Sequence, residues 1–322
     1  MEKIKPIRYA VVFPGQGSQY VGMGQELAEL FPSAMKIFEL AEQSTGLPIQ
    51  HLSFSSSEDT LRETSFAQPC LLATTIAAYT VFQEHFPIEP EFLCGHSAGE
   101  YAALVAANVL SFPNAIKLIQ ARGTLMSKVR GGGMVALIDV TLEKAKELCA
   151  QAVQPGGILL PANLNSPTQI VISGDEESIE SAICIAFEND IKAVGLPVSG
   201  AFHSPLMQEA SVHFAKNLSE IQFNNAALPV ISNITSQPVM KGLEWSKFLE
   251  KQITAPVHWM DSIHYILQQG IEIFVEVGPN KVLSKLIQKI TPSAITLNVE
   301  DASSLELTIA QLKKGLNTSL VA

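Results

Sequence analysis

An α/β fold with a small α+β subdomain inserted into it is what this sequence predicts, and three observations carry the prediction. Short β-branched and aromatic runs stop at Gly-rich turns and pass into helices; Gly131-Gly132-Gly133 is followed by a compact strand–helix–strand–helix segment; and the α/β pattern returns beyond about residue 200. The 322 residues amount to about two domains at ~150 residues each. Charged residues make up only 16%, against a usual ~25%, and apolar residues 47%, so much of the chain must be buried.

The elements follow in order. Residues 8–13 read as a buried strand, because the apolar run ends abruptly at Pro14-Gly15 and Gly15-Gln16-Gly17-Ser18-Gln19 can only be a loop. Leu27, Leu30, Phe31, Met35, Ile37, Phe38 and Ala41 recur at helical spacing and predict one helix over 24–45, with a denser repeat of the pattern over 67–84. The 18 positions from Ser65 to Phe82 carry no charge, but Gln68, Pro69 and three threonines make them a buried core helix rather than a membrane span. Phe92-Leu93-Cys94 is a brief strand leading through Gly95-His96-Ser97-Ala98-Gly99 into a helix over 100–110, where strong helix formers stand without Pro or Gly. A helix over 114–129 ends at the triple glycine, which marks a boundary. Strands at 134–140 and 169–173 alternate with helices at 142–153 and 176–189, giving a subdomain over 132–200 between two parts of a larger domain, 1–131 and 201–322. Strands at 228–233 and 271–277 and an amphipathic helix at 281–290 resume the larger domain.

Composition also excludes. A formal net charge of −10 argues against nucleic-acid binding, which needs a basic surface to displace counterions, and no membrane association is expected. Cys70, Cys94, Cys149 and Cys184 lie far apart without a C-x-x-C pair, so neither zinc nor a disulfide framework is signalled and a reducing cytoplasm fits best. The apolar stretch after Met1–Pro6 is too short for the core of a signal peptide.

The chemistry concentrates at a few positions. Gly95-His96-Ser97-Ala98-Gly99 is a G-x-S-x-G pentapeptide between a strand and a helix, the context in which flanking glycines permit a sharp turn that lifts a serine hydroxyl out of the sheet. The following helix directs its positive end at that serine. Serine needs a positioned base, to be found among His51, His85, His96, His203, His213, His258 and His264. His203 stands out in a loop of small residues, Gly200-Ala201-Phe202-His203-Ser204-Pro205, although a surface histidine is the plain alternative; His96 adjoins the serine and reads as structural. Gly15-Gln16-Gly17 fails as a dinucleotide motif because Tyr20 stands where a third glycine is required, but such a loop can supply one backbone N–H of an oxyanion hole, with Ala98 supplying the other. Arg122 interrupts an apolar helical stretch; a solvated arginine is the usual explanation, and a planar fork gripping a substrate carboxylate is the functional one.

Phe13-Pro14-Gly15-Gln16-Gly17-Ser18-Gln19, Gly95-His96-Ser97-Ala98-Gly99-Glu100, Arg122-Gly123, Gly200-Ala201-Phe202-His203-Ser204 and Glu276-Val277-Gly278-Pro279 together resemble the malonyl-CoA:acyl carrier protein transacylases and the acyltransferase domains of polyketide synthases, collinearly from about residue 8 to 298. The resemblance implies a large α/β-hydrolase-like domain with a ferredoxin-like insert. It makes Ser97 the acylated nucleophile, His203 its general base, and the backbone N–H groups of Gln16 and Ala98 the oxyanion hole, with Arg122 the holder of the free malonyl carboxylate. It also implies that the backbone carbonyl of Gln252 orients the histidine, so no third acid is needed, and that Gln68 and Asn165 line the pocket. Where malonyl-selective relatives usually carry leucine, this chain has Ala98, which leaves more room beside the acyl group; Phe202 points back to malonyl, because a bulky ring disfavours a 2-methyl branch. The activity so implied moves malonyl from malonyl-CoA to the phosphopantetheine thiol of an acyl carrier protein, in fatty acid or polyketide synthesis, by a discrete monomeric enzyme with no metal or other cofactor. An acidic carrier would need local positive charge, for which Lys251, Lys281, Lys285 and Lys289 are candidates. The competing readings are an acyl hydrolase on the same scaffold, which retention of Arg122 disfavours, and a non-catalytic carrier-docking module, which an intact Ser97, His203 and Arg122 disfavours.

Overall fold

The structure, a computed structural model, describes residues 7–198 and 200–318; Met1–Pro6, which precede the apolar stretch too short for a signal peptide, lie outside the described residues. Its strands are β1 (Ala10–Phe13), β2 (Phe92–Gly95), β3 (Gly132–Ile138), β4 (Leu159–Ser166), β5 (Gln169–Asp175), β6 (Lys192–Gly195), β7 (Val230–Ile231), β8 (Pro238–Val239), β9 (Ile273–Val277) and β10 (Ile295–Val299). They form two sheets, one in the order β10-β9-β1-β2-β7-β8 and one in the order β4-β5-β3-β6.

In the larger sheet all neighbours are parallel except β8, which runs antiparallel to β7 at the edge. β1 is buried along its whole length, as a central parallel strand must be when helices cover both faces. Its alternate residues serve two cores. Val11 and Phe13 join the main cluster under helix Thr64–His85, while Ala10 and Val12 pack with Trp259, Ile263 and Leu283 on the opposite face. Helix Thr64–His85 is long and apolar enough to cross a membrane, yet 78% of its most apolar window is buried inside the protein, so it is a core helix. Glu276, at the end of β9, accepts hydrogen bonds from the N–H groups of Leu283 (2.9 Å) and Ser284 (2.7 Å) and so caps the next helix; burial raises its carboxyl to about 6.

The smaller sheet is antiparallel and lies wholly within 132–195, in the chain order strand, helix, strand, strand, helix, strand. That order with these pairings is ferredoxin-like. One face packs under helices Leu142–Ala152 and Glu176–Glu188 through Val135, Leu137, Ile170 and Ile172. Met134, Ala136, Ala162 and Val171 face the other way into the main core, so the insert is seated on the larger domain rather than hung from it. The fold is therefore α/β, with an α/β-hydrolase-like larger part and a ferredoxin-like insert.

Three local expectations change. The helix expected over 24–45 is two helices, Gln25–Leu30 and Pro32–Thr45, because Pro32 cannot donate a backbone hydrogen bond and instead starts the second as its first residue. The helix expected over 100–110 stops at Ala106, and Asn108 takes a left-handed φ of 60°. The strand expected over 228–233 pairs only at Val230 and Ile231, which frees Ser232 and Asn233 to leave the sheet.

Candidate active site

β1, β2 and β7 are neighbours, and their carboxyl ends deliver three loops to one edge of the sheet, the position where open α/β sheets bind ligands. Phe13 pairs with Gly95, so the loop holding Gln16 lies beside the turn holding Ser97. Ser97 has a φ of 51°, a left-handed conformation that costs a side-chain-bearing residue on the order of 1–3 kcal/mol. The flanking glycines are required by close packing: a Cβ on Gly95 would collide with the backbone of Gly99 and Glu100, and one on Gly99 with the carbonyl oxygens of Phe13 and Pro14. Asn233, just beyond β7, clamps the turn. Its Oδ1 accepts the Ser97 N–H at 2.7 Å, its Nδ2 donates to the Gly95 carbonyl at 2.6 Å, and its own N–H donates to Glu100 Oε1 at 2.7 Å.

His203 reaches the serine from a loop that also takes a left-handed φ, 59°. Its Nδ1 lies 2.8 Å from the carbonyl oxygen of Gln252, which can only accept, so Nδ1 carries the proton and the Nε2 lone pair faces Ser97 Oγ at 2.7 Å. Burial, then the charge of Arg122, pulls His203 down from 6.5 to about 3 and keeps it neutral. Arg122 is fully buried. Its Nη1 donates to Gln68 Oε1 at 2.8 Å, and its Nη2 donates both to Gln252 Oε1 at 3.0 Å and to Ser97 Oγ at 3.1 Å. A solvated arginine is thereby excluded. Burial lowers its pKa, but an arginine stays charged. This site therefore sets a neutral base and a desolvated cation on one hydroxyl.

A cavity of about 120 Å³ opens between the larger domain and the insert. Of the residues singled out in the sequence, Gln16, Gln68, Ser97, Arg122, Phe202 and His203 line it, joined by Met126, Met134, Leu196 and Val198 as an apolar wall. Gln16 also donates through Nε2 to Thr64 Oγ1 at 3.1 Å, which anchors its loop. Three others stand behind the lining. Ala98 is buried in the main core, and Gln252 is buried beneath Arg122 and His203. Asn165, expected in the lining, instead holds His96, its Oδ1 being 2.8 Å from His96 Nε2, while Asn163 two residues earlier faces the cavity. Asn163 pairs with Val171, which faces the main core, whereas Asn165 falls within a register shift of β4 between Leu164 and Ser166. His96 lines the cavity and tilts against Trp259, its pKa lowered chiefly by burial.

Sequence reasoning missed Asn233 and gave no role to Glu100 or to the Gln252 side chain. Glu100 is fully buried and accepts from the Asn233 N–H and, at 2.5 Å, from Gln252 Nε2, which also donates to the Ser97 carbonyl at 3.1 Å. Burial raises Glu100 to about 8, against those donors and the charge of Arg122. The signal for Asn233 was its place at the carboxyl end of a strand adjoining β2, readable only once strand order is known. Of the lysines considered for docking, Lys251 is exposed one residue before Gln252; Lys281, Lys285 and Lys289 are exposed along one helix, and Lys289 Nζ donates to Gln169 Oε1 at 3.0 Å. Among the described residues, no group of three or more His, Cys, Asp or Glu side chains could hold a metal ion.

Residues 10–320 match the family described as the acyl transferase domain. The malonyl CoA-acyl carrier protein transacylase of Bacillus subtilis (strain 168) is 38% identical over 311 residues, 95% of this chain and 98% of that one. Among solved structures, the malonyl CoA-acyl carrier protein transacylase of Coxiella burnetii superposes with a TM-score of 0.92 at 35% identity, covering 95% of this chain and 98% of that one. A malonyl-transacylase solved in complex with its type II polyketide-synthase acyl-carrier protein superposes with a TM-score of 0.91 at 34% identity, covering 95% and 100%.

Proposed function

The chain belongs to the acyl transferase family, and from that premise we propose that it carries a malonyl group from malonyl-CoA to the phosphopantetheine thiol of an acyl carrier protein through an ester on Ser97, in fatty acid or polyketide biosynthesis. One observation carries the reading: Ser97 Oγ is hydrogen bonded at once to the lone pair of His203 (2.7 Å) and to the buried guanidinium of Arg122 (3.1 Å). A base on a serine explains acyl transfer in general. A buried cation on the same serine favours an acyl group with a negative end.

In the first half-reaction Ser97 Oγ attacks the thioester carbonyl as its proton passes to His203 Nε2. The carbonyl oxygen, now negative, is held by the N–H groups of Gln16 and Ala98. Collapse breaks the C–S bond, and His203 returns the proton to the departing thiolate. In the second half the carrier thiol gives its proton to His203 and attacks the seryl ester, and Ser97 leaves with that proton. Arg122 turns its Nη2 from Ser97 Oγ to the malonyl carboxylate and sets the direction from which the thioester meets the serine. The Gln252 carbonyl holds the histidine in the tautomer the cycle needs and stabilises the imidazolium when it forms. Gln68 steers Arg122 from the other side, and Phe202 crowds the carbon that a 2-methyl branch would occupy.

Because a thioester is exchanged for a thioester, the reaction is nearly balanced and calls for no metal, nucleotide or redox cofactor. Every group in the cycle comes from one chain, so a monomer suffices. Four free cysteines accord with a reducing cytoplasm. The acidic carrier meets a protein of net charge −10 and must find local positive charge, for which Lys251 is the candidate beside the site. The test is intact-protein mass spectrometry after mixing with malonyl-CoA or acetyl-CoA. A gain of one malonyl group mapped to Ser97, with little gain from acetyl-CoA, is expected; absence of a malonyl adduct on Ser97 would refute the reading.

A further inference from the structure

Gln252 serves the site through two separate parts. Its backbone carbonyl accepts the His203 Nδ1–H at 2.8 Å, and its side-chain Oε1 accepts Arg122 Nη2 at 3.0 Å. A carboxamide can face either way, and here its surroundings decide. Arg122 offers only donors, so it demands the oxygen; on the other side the Ser97 carbonyl, 3.1 Å from Nε2, and Glu100 Oε2, 2.5 Å from Nε2, are acceptors and demand the nitrogen. A reversed amide would press N–H groups against the guanidinium and an oxygen against two oxygens.

We infer that Glu100 is a positioning residue for the acyl-carboxylate clamp: its carboxyl oxygens, each taken by a donor, fix the orientation of the Gln252 amide, and through that amide it holds Arg122 over Ser97. Glu100 is suited to this because it is fully buried and has its other oxygen tied by the Asn233 N–H at 2.7 Å, so the acceptor it shows to Gln252 cannot swing away. Among the described residues, the hydrogen bonds of Arg122 go to Gln68 Oε1, Gln252 Oε1 and Ser97 Oγ, so the Gln252 amide is the link between the guanidinium and Glu100. The amide between them is held at both ends, the guanidinium on its oxygen and the Glu100 carboxyl on its nitrogen. The His203 contact does not pass through this amide. Glu100 therefore bears first on which acyl group is chosen, and reaches the Ser97 turn only through the Asn233 N–H and the Gln252 amide.

This inference rests on Arg122 holding the malonyl carboxylate, and the experiment separates the two. The full chain and its E100Q, Q252L and E100Q/Q252L variants are compared for kcat/KM and KM of transfer to a carrier protein from malonyl-CoA and from acetyl-CoA. A glutamine at position 100 has one acceptor oxygen for two donors, so E100Q is expected to raise KM for malonyl-CoA and to lower the malonyl-to-acetyl ratio of kcat/KM about tenfold, the factor equivalent to ~1.4 kcal/mol. Acetyl transfer should fall clearly less than malonyl transfer, because the Gln252 carbonyl that holds His203 is backbone and any loss passed through Asn233 to the Ser97 turn acts on both substrates and cancels in the ratio. Q252L should lower the ratio likewise, and adding E100Q to it should change the ratio little further. Should E100Q fail to fold, E100D withdraws the carboxyl group by one methylene and must lower the ratio in the same direction. Equal losses on both substrates, an unchanged ratio, or effects of E100Q and Q252L that simply multiply would overturn the role of Glu100. A wild-type enzyme with no preference for malonyl would instead overturn the reading of Arg122 on which the role depends.

Discussion

Replacing Arg122 with alanine removes the one full positive charge that touches Ser97 Oγ, and the structure sets the size of the effect. Arg122 is completely buried, so its hydrogen bond to a substrate carboxylate forms without competing water. A hydrogen bond to a charged group contributes ~1.5–3 kcal/mol, and the malonyl-to-acetyl ratio of kcat/KM should therefore fall by roughly 10- to 150-fold. The fall should come from the malonyl side, because acetyl has nothing for the guanidinium to hold. Stability will change too. Gln68 Oε1 and Gln252 Oε1 lose their 2.8 Å and 3.0 Å donors, and each orphaned buried acceptor costs about 1–3 kcal/mol. The ratio is the proper readout, since partial unfolding lowers both substrates alike and cancels. Initial rates with the two thioesters and one carrier protein, at a temperature below the midpoint of thermal unfolding, give it directly. An unchanged ratio would refute the assignment of Arg122 to the carboxylate, and with it the argument that a buried cation on the serine selects the acyl group.

Ser97→Ala should abolish covalent loading from malonyl-CoA in intact mass spectra while thermal unfolding still reports a folded protein; loading that persisted would move the nucleophile elsewhere. Asn233→Ala leaves the Ser97 N–H and the Gly95 carbonyl without their 2.7 Å and 2.6 Å partners, so it should cost about 1–3 kcal/mol in denaturant unfolding and slow Ser97 loading from malonyl-CoA and acetyl-CoA alike. A selective loss on one substrate would contradict a role confined to the turn. His203 is held near 3 by burial and by Arg122, so the rate of Ser97 loading should stay flat from about pH 5 to 7, and an inflection near the ordinary 6.5 would contradict a buried neutral base. The same depression has a sign for stability. Below 6.5 the unfolded chain takes up a proton on this histidine that the folded chain refuses until about 3, so stability falls as pH falls through that interval, and His203→Gln should show a shallower acid loss in denaturant titrations.

The parts of the site carried by local geometry were legible in the chain. Gly95 and Gly99 announce a turn because packing leaves no room for a Cβ there, and a serine between them in a strand–helix context has few other uses. Arg122 was legible only as a charge in an apolar helix; its burial depended on helix Phe112–Lys128 packing beside Thr64–His85, which places Gln68 against it. Asn233 and Glu100 could not be read, since their meaning arises from β7 lying beside β2, a pairing of two residues in a strand too short for periodicity to reveal. The Gln252 carbonyl came from a family resemblance, but the same residue's amide, which links Arg122 to Glu100, did not. Pro32 split a helix whose apolar spacing runs unbroken through it, because spacing reports which face is buried and is silent about a missing donor.

Transfer between two thiols by way of one serine is tested most directly by following the fate of the acyl group. Protein loaded with malonyl on Ser97 and freed of malonyl-CoA is mixed with carrier protein bearing its phosphopantetheine arm, and both masses are read over time. Ser97 should lose the malonyl group at the rate at which the carrier thiol gains it, and loaded protein left alone in water should keep the ester far longer. Release of free malonate, with the carrier unloaded, would contradict this transfer and make the protein a hydrolase.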